Sequence, residues 1–238
     1  AMKSAVAVPV MLVAGVAWGV RGRSAAVFAP SHWHGSPTEP RVALTFDDGP
    51  SESTPQLLEI LARHQVKATF FVCGMHVRRL PAIARQIAEA GHELGNHTQN
   101  HPSFAFRSAS FMTDELLAAQ KSIEDATGVR PRLFRAPYGI RWPGLAVAQR
   151  AAGVTGVMWT VIGQDWRLPA AQIAERVCRG AANGAIFCLH DGRARTVNPD
   201  ISATVEAVSV IMPILAPRGF IFTTVSDLLW PKQQLQNE

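Results

Sequence analysis

Short apolar runs of strand length alternate along this chain with amphipathic stretches of helix length, and Gly or Pro closes most of them. The first run is apolar up to Phe46 and then turns at once into Asp47-Asp48-Gly49-Pro50. A helix follows. Ser51 to Thr54 offer hydroxyl caps, Pro55 suits a first turn, and Leu57, Leu58 and Leu61 make a stripe ending near His64. A buried strand is expected over 67–72, a helix over 81–90 stopped by Gly91, and a short strand at 93–94 entering Gly95-Asn96-His97. The cycle repeats with a helix over 113–127, Asp114 and Glu115 in its first turn and Gly128 as its stop. Strands at 133–134, 157–162, 185–189 and 220–223 then interleave with helices over 143–152, 169–182 and 199–215. Residues 27–40, rich in Pro, Ser, His and Gly, read as an irregular lead-in.

Such alternation predicts an α/β fold with a parallel sheet. Strands each followed by a helix suit a distorted, incomplete (β/α) barrel. An open doubly wound sheet competes, but it calls for a glycine-rich phosphate turn after its first strand, where this chain has Asp-Asp-Gly-Pro.

Composition narrows the class. The 238 residues are 47% hydrophobic and 17% charged, enough for one medium domain, placed at residues 41–238 behind an apolar segment and lead-in at 1–40. The net charge of +5 is spread without a basic run, which argues against a nucleic-acid partner. Cys73, Cys178 and Cys188 are odd in number and lack a C-x-x-C spacing, so they read as small buried hydrophobes. Residues 5–20 resemble a signal peptide or short anchor. Pro9 interrupts them, Arg21 and Arg23 follow, and the run is shorter than the roughly 20 residues a bilayer needs, so a helix packed on the domain competes. Membrane association through 5–20 and a cell-envelope or secreted location are thus expectations, with an intracellular one as the alternative. His32 and His34 flank Trp33 but have no third ligand nearby.

Five groups of polar residues sit just past the ends of predicted strands: Asp47 and Asp48, His97 and His101, Arg135, Asp165, and His190. In a parallel barrel those ends converge on one face. His97 and His101 are spaced so that two imidazoles can meet one ion, on a helical turn or in a tight loop. With Asp48 they make the two-histidine, one-carboxylate set of catalytic metal sites, leaving Asp47 free as a base. Arg135 heads Arg-Ala-Pro-Tyr-Gly, where it can hold a carboxylate by paired bonds and the turn can aim a backbone N–H at an oxyanion. Asp165-Trp166 can orient a histidine and wall a pocket, or cap the next helix. His190 in Leu189-His190-Asp191-Gly192 is a natural general acid.

Together these residues resemble the polysaccharide deacetylases with a NodB-homology domain, carbohydrate esterase family 4, from about Arg41 to about Leu229. The resemblance implies a distorted (β/α) barrel and metal-assisted hydrolysis of an N-acetyl group on an amino-sugar polymer or oligomer, of peptidoglycan or chitin type. It implies Asp47 as base, held by Arg135, and Asp48, His97 and His101 as ligands of one divalent metal, zinc or else cobalt or nickel. It further implies the Tyr138 N–H in an oxyanion hole, Asp165 tuning His190 as acid, Trp166 lining the pocket and Leu189 against the acetyl methyl. One position departs: the family's fourth motif usually opens with an Asp where this chain has Ile162. Alternative functions are a deformylase acting on a lipid-linked amino sugar, and a metal-holding carbohydrate-binding protein without catalysis.

Overall fold

The computed structural model describes residues 15–231. Among them the strands are β1 (Ser31–His32), β2 (Arg41–Asp47), β3 (Thr69–Val72), β4 (Glu93–Asn96) and β5 (Leu133–Phe134). They continue with β6 (Thr155–Val157), β7 (Val161–Ile162), β8 (Ile186–His190) and β9 (Ile221–Phe222). The helices are α1 (15–21), α2 (Thr54–Arg63), α3 (Gly74–Arg79), α4 (Pro81–Glu89) and α5 (Ala109–Thr127). After these come α6 (Leu145–Ala152), α7 (Ala170–Arg179), α8 (Ser202–Leu215) and α9 (Val225–Leu229).

All strand pairings are parallel, in the order β1-β6-β5-β4-β3-β2-β8-β7, with β9 against the start of β2. β6 and β7 are neighbours in sequence yet lie near opposite ends of that order. Only residues 158–160 join them, a reach of at most about 14 Å between the flanking Cα atoms. The sheet must therefore curl until its two ends almost meet, which gives the incomplete (β/α) barrel that the alternating pattern predicts.

Strand parity sorts the core. Val42, Leu44 and Phe46 of β2 point outward and pack under α2, α7 and α8 with Leu57, Leu61, Ile173, Val177 and Ile211. Each such side chain contributes roughly 1.5–3 kcal/mol when fully buried. Ala43 points inward with Phe71, Leu133, Val157 and Ile186. Thr45 and Asp47 follow Ala43 on the inner face, and Cys188 and His190 follow Ile186 there.

Several elements differ from the sequence expectations. The apolar run 157–162 is two strands with a corner between them, not one. The lead-in contains β1, whose Ser31 and His32 pair with Gly156 and Val157. α3 has no apolar stripe to announce it. α5 begins earlier than 113, because the Ser108 hydroxyl caps it by accepting from the Phe111 N–H at 3.1 Å. Glu115 therefore lies in the second turn, turned inward, and accepts from the backbone and side-chain nitrogens of Asn100 at 2.9 and 2.8 Å. Thr54 makes no cap.

Residues 15–21 form a helix that packs on the domain. The buried Arg141 guanidinium donates to the carbonyls of Gly22 and Ala25, and the Arg141 N–H donates to Val20 at 3.0 Å. Most of the apolar run at 5–20 lies outside the described residues. Among the described residues no helix is long and apolar enough to cross a membrane.

Gly95 of β4 lies under the Phe71 ring, and a Cβ there would sit 2.4 Å from a ring carbon. Gly95→Ala should lower stability by about 1–3 kcal/mol, the usual cost of overpacking. Urea unfolding measures it, and an unchanged midpoint would refute the close packing.

Candidate active site

β2 ends at Asp47, and the chain turns there. Asp48 takes a left-handed φ of 71°, so the two adjacent carboxylates leave the strand on different sides. Asp48 Oδ1 lies 2.9 Å from His101 Nε2 and 3.3 Å from His97 Nε2. All three residues are buried. His97 Nδ1–H donates to the Arg135 carbonyl at 2.7 Å, which turns Nε2 toward Asp48. His101 is set by its own N–H, which donates to Thr98 Oγ1 at 3.0 Å. Thr98 N–H in turn donates to Asn96 Oδ1 at 2.8 Å. The second Asp48 oxygen accepts from the Ala194 N–H at 2.8 Å, fixing the carboxylate plane. Burial alone would raise the Asp48 pKa, but the two facing imidazoles override it and hold the carboxyl well below its usual range.

These residues fit a metal ion. Asp48 Oδ1 is buried and has no hydrogen-bond partner. It converges with two imidazole nitrogens, all within 4.8 Å of one another. Ligands of a tetrahedral zinc with bonds of about 2.0–2.1 Å lie roughly 3.3 Å apart, close to the separations seen.

Asp47 belongs to a different environment. Its Oδ1 accepts from Arg135 Nη1 at 2.7 Å, and Cys188 Sγ lies 3.5 Å from its Oδ2. Arg135 is fully buried. Its Nη1 also donates to Thr45 Oγ1 at 2.6 Å, its Nη2 to the Met158 carbonyl at 3.1 Å and its Nε to the Val157 carbonyl at 3.3 Å. The guanidinium stacks 4.1 Å from the Phe71 ring centroid. It therefore grips Asp47 through one nitrogen, not by the paired bonds the sequence suggested, because backbone carbonyls at the end of β6 take its other donors.

His190 faces Asp47 across the β2–β8 register. Its Nδ1–H donates to Asp165 Oδ1 at 2.8 Å, so Nε2 points to the cleft. Asp165 Oδ2 accepts from the His190 N–H at 2.8 Å and from Thr204 Oγ1 at 2.7 Å. Asp165 is thus an orienting group and not a helix cap. Pro169 occupies the N-cap position of α7. Burial would lower the His190 pKa, but the Asp165 charge and hydrogen bond raise it to about 9. Burial would raise that of Asp165, and the His190 charge holds it below the ordinary value.

A cleft of about 530 Å³ brings these groups together. Trp166 walls it, edge-on to His190 at 5.3 Å between ring centroids. Tyr138, at a left-handed φ of 58°, packs edge-on against His101 at 4.7 Å. Ile162 lines the cleft as well. Leu189 does not. It is fully buried among the outer core residues, because strand side chains alternate and His190 faces inward. Cys188, two residues before His190, stands where Leu189 was expected. Counting by two from His190 would have found it in the sequence.

Other residues escaped the sequence reading. Asp191 is fully buried, and its N–H donates to the Asp47 carbonyl at 3.1 Å. Thr54 Oγ1 donates to Asp191 Oδ2 at 2.7 Å and accepts from the Ser51 N–H at 2.8 Å, which locks the turn after Asp48. Burial pushes the Asp191 pKa up to about 7. Only Asp191's place beside His190 hinted at this. Arg193 reaches Asp165 and Ala194 reaches Asp48 from a loop with no sequence signature.

Known proteins resemble this chain in sequence and in fold. The family model described as polysaccharide deacetylase matches residues 34–157. A peptidoglycan-N-acetylglucosamine deacetylase PgdA of Listeria monocytogenes is 36% identical over 203 residues, 83% of this chain. The chain spans 41% of that relative's length. A chitooligosaccharide deacetylase of Bradyrhizobium sp. is 39% identical over 188 residues, 75% of this chain and 86% of that protein. The crystal structure of a peptidoglycan N-acetylglucosamine deacetylase superposes with a TM-score of 0.78 at 31% identity, covering 84% of this chain and 92% of that one. A CE4 family pseudoenzyme from Bacillus anthracis superposes with a TM-score of 0.76 at 30% identity, covering 83% and 68%. Fold and sequence agree with the motifs read along the chain, and the chain belongs to the polysaccharide deacetylase family.

Proposed function

We propose that this chain is a metal-dependent hydrolase that removes N-acetyl groups from an amino-sugar polymer or oligomer of peptidoglycan or chitin type. The observation that carries this reading is the pairing of two proton-transfer groups across one cleft. Asp47 is held by Arg135 at 2.7 Å and His190 by Asp165 at 2.8 Å, with the Asp48, His97 and His101 set beside them. Peptidoglycan and chitooligosaccharide are named for relatives at 36% and 39% identity. A peptidoglycan substrate would put the protein to work in the cell envelope.

Asp48, His97 and His101 would hold one divalent cation. Two imidazoles and a carboxylate suit zinc, and also cobalt or nickel. Bound there, the ion would supply a Lewis acid that polarises an acetamide carbonyl and makes water more acidic. Asp47, its Oδ1 occupied by Arg135, accepts the proton of the attacking water on its other oxygen. His190, charged at neutral pH, donates from Nε2 to the departing amine, so that acetate and a free amino sugar result. The backbone N–H of Tyr138, at the cleft wall, is the candidate donor to the carbonyl oxygen as it gains charge. Trp166 and Cys188 line the cleft beside His190 and would wall an acetyl group there.

A second reading, sugar binding without catalysis, is favoured by the likeness to a pseudoenzyme. Against it stand Asp47 and His190, each held by its own partner, since neither arrangement is needed to bind a sugar.

Acetate release from acetylated glucosamine oligomers and from peptidoglycan, assayed side by side, should be abolished by a chelator and restored by zinc. Asp47→Asn and His190→Ala should each lower kcat by about 10²–10⁴-fold while metal content, read by elemental analysis, stays at one ion per chain. Acetate released at near wild-type rate by either variant would sink the assignment of roles.

The alkaline side of the pH profile reports His190. A raised imidazole pKa means that the charged acid is present at lower pH and lost as pH rises through about 9. In Asp165→Asn that limb should move down toward the ordinary value of about 6.5. Stability carries the same sign: what the Asp165 pair contributes is full below about 6.5 and fades as pH climbs past the folded value. A limb that stays in place in Asp165→Asn would show that another group is titrating.

A further inference from the structure

We propose that the floor of the cleft carries a second cation site, built from Cys188, Asp47 and His190, which takes a soft divalent ion such as cadmium or excess zinc and thereby blocks the cleft. It goes beyond the deacetylase reading, and only its test takes the first metal site from that reading.

The site follows from strand register. Thr45 pairs with Cys188 and Asp47 with His190 across β2 and β8, and all these side chains point inward. Cys188 Sγ lies 3.5 Å from Asp47 Oδ2. A thiol sulfur, a carboxylate oxygen and an imidazole nitrogen all lie within 4.8 Å of one another. That mixture suits zinc and, with its sulfur, still softer ions. It shares no donor with Asp48, His97 and His101, so both sites can fill together. His190 is already set as a metal-ligating histidine is set. Its Nδ1–H is bonded to the Asp165 carboxylate at 2.8 Å, and Nε2 is left to the cleft.

Charge balance permits an ion beside Arg135. Binding forms metal–sulfur, metal–nitrogen and metal–oxygen bonds. It breaks the Cys188 S–H bond and, where His190 is charged, its Nε2–H bond, and both protons leave to water. Two protons leave as one divalent ion enters, so the net charge next to Arg135 does not change. An oxidative role for the same thiol is less well founded. Burial and the Asp47 charge hold its pKa well above the ordinary value, so little thiolate is present for an oxidant to meet. The same Asp47 charge attracts a cation.

The test titrates cadmium into the full chain with its first site filled with zinc. Calorimetry counts the ions and near-ultraviolet absorption reports cadmium–thiolate bonds. One added equivalent with a thiolate band is expected. Cys188→Val should lose the band, and His190→Ala should weaken binding by at least roughly tenfold. Cys73→Ser and Cys178→Ser should leave the band intact. Thermal melts without cadmium establish that each variant is folded, and His190→Ala decides the matter should Cys188→Val fail to fold. Where acetate release is measurable, cadmium should inhibit wild type far more than Cys188→Val, each rate being divided by the same variant's rate without cadmium. A missing band in wild type, a band that survives in Cys188→Val, or equal inhibition of the two would overturn the proposal.

Discussion

Arg135 is a full positive charge with no exposed surface, and much of the barrel interior is arranged to satisfy it. An isolated buried charge is costly, so a guanidinium in such a place needs a partner for each donor. Asp47 supplies the countercharge, Thr45 a hydroxyl, and Val157 and Met158 the carbonyls at the end of β6. The Phe71 ring lies under its face. These contacts tie the end of β5 to β2 and to β6 at one depth in the barrel. The same carbonyl-rich surroundings explain why only one guanidinium nitrogen is left for Asp47. Arg135 also spends its own carbonyl on His97. One residue thus sets both the proposed base and a candidate metal ligand, and their separation cannot drift independently.

Neighbouring acids in this site do different work because of where the backbone turns them. Asp47 is the last residue of a strand and keeps the inward direction that parity gives it. Asp48 takes a left-handed backbone, which costs a non-glycine residue some strain, and swings over to His97 and His101. Asp165 and Asp191 make a second contrast on either side of His190. Both are buried, yet their pKa values move in opposite directions. Asp165 faces a cationic imidazole. Asp191 is bonded through its side chain to a hydroxyl and sits near other carboxylates, so it has no charge to offset its desolvation.

How much of this was legible in the sequence depends on which periodicity carried the information. Strand ends followed by polar residues marked Asp47, Asp48, His97, His101, Arg135, Asp165 and His190; five of these line one cleft, and Arg135 and Asp165 lie buried behind Asp47 and His190. The run 157–162 misled because apolar character says nothing of where a strand stops. Thr155–Val157 and Val161–Ile162 read as continuous, while the corner between them is set by the closing of the sheet. Leu189 was misplaced for a simpler reason: adjacency to His190 was weighed, and parity was not. Asp191 and Ala194 were invisible because their roles come from contacts more than a hundred residues away along the chain, to Thr54 and Asp48. No local pattern encodes such contacts.

The seam where the barrel fails to close also shapes the cleft. The link from β6 to β7 supplies Trp159, β7 supplies Ile162, and the following turn supplies Trp166, and all three line the cavity. The amino-terminal segment leans on the same place, with Arg21 at the cleft and the Arg23 guanidinium donating to the Thr160 carbonyl. The proposed proton-transfer and metal-set residues instead come from β2, β8, the turn after β2 and the loop after β4, in the continuous part of the sheet. Most of the proposed chemistry and most of the cleft wall therefore rest on different parts of the fold, and Asp165, in the turn after β7, joins them by orienting His190. Asp47 and Arg135 are held from the sheet, whereas the Met158 carbonyl and the Asp165 carboxylate tie Arg135 and His190 to the seam itself. Ile162 stands in that wall, on β7 and three residues before Asp165, where it adds an apolar side chain to the cleft lining.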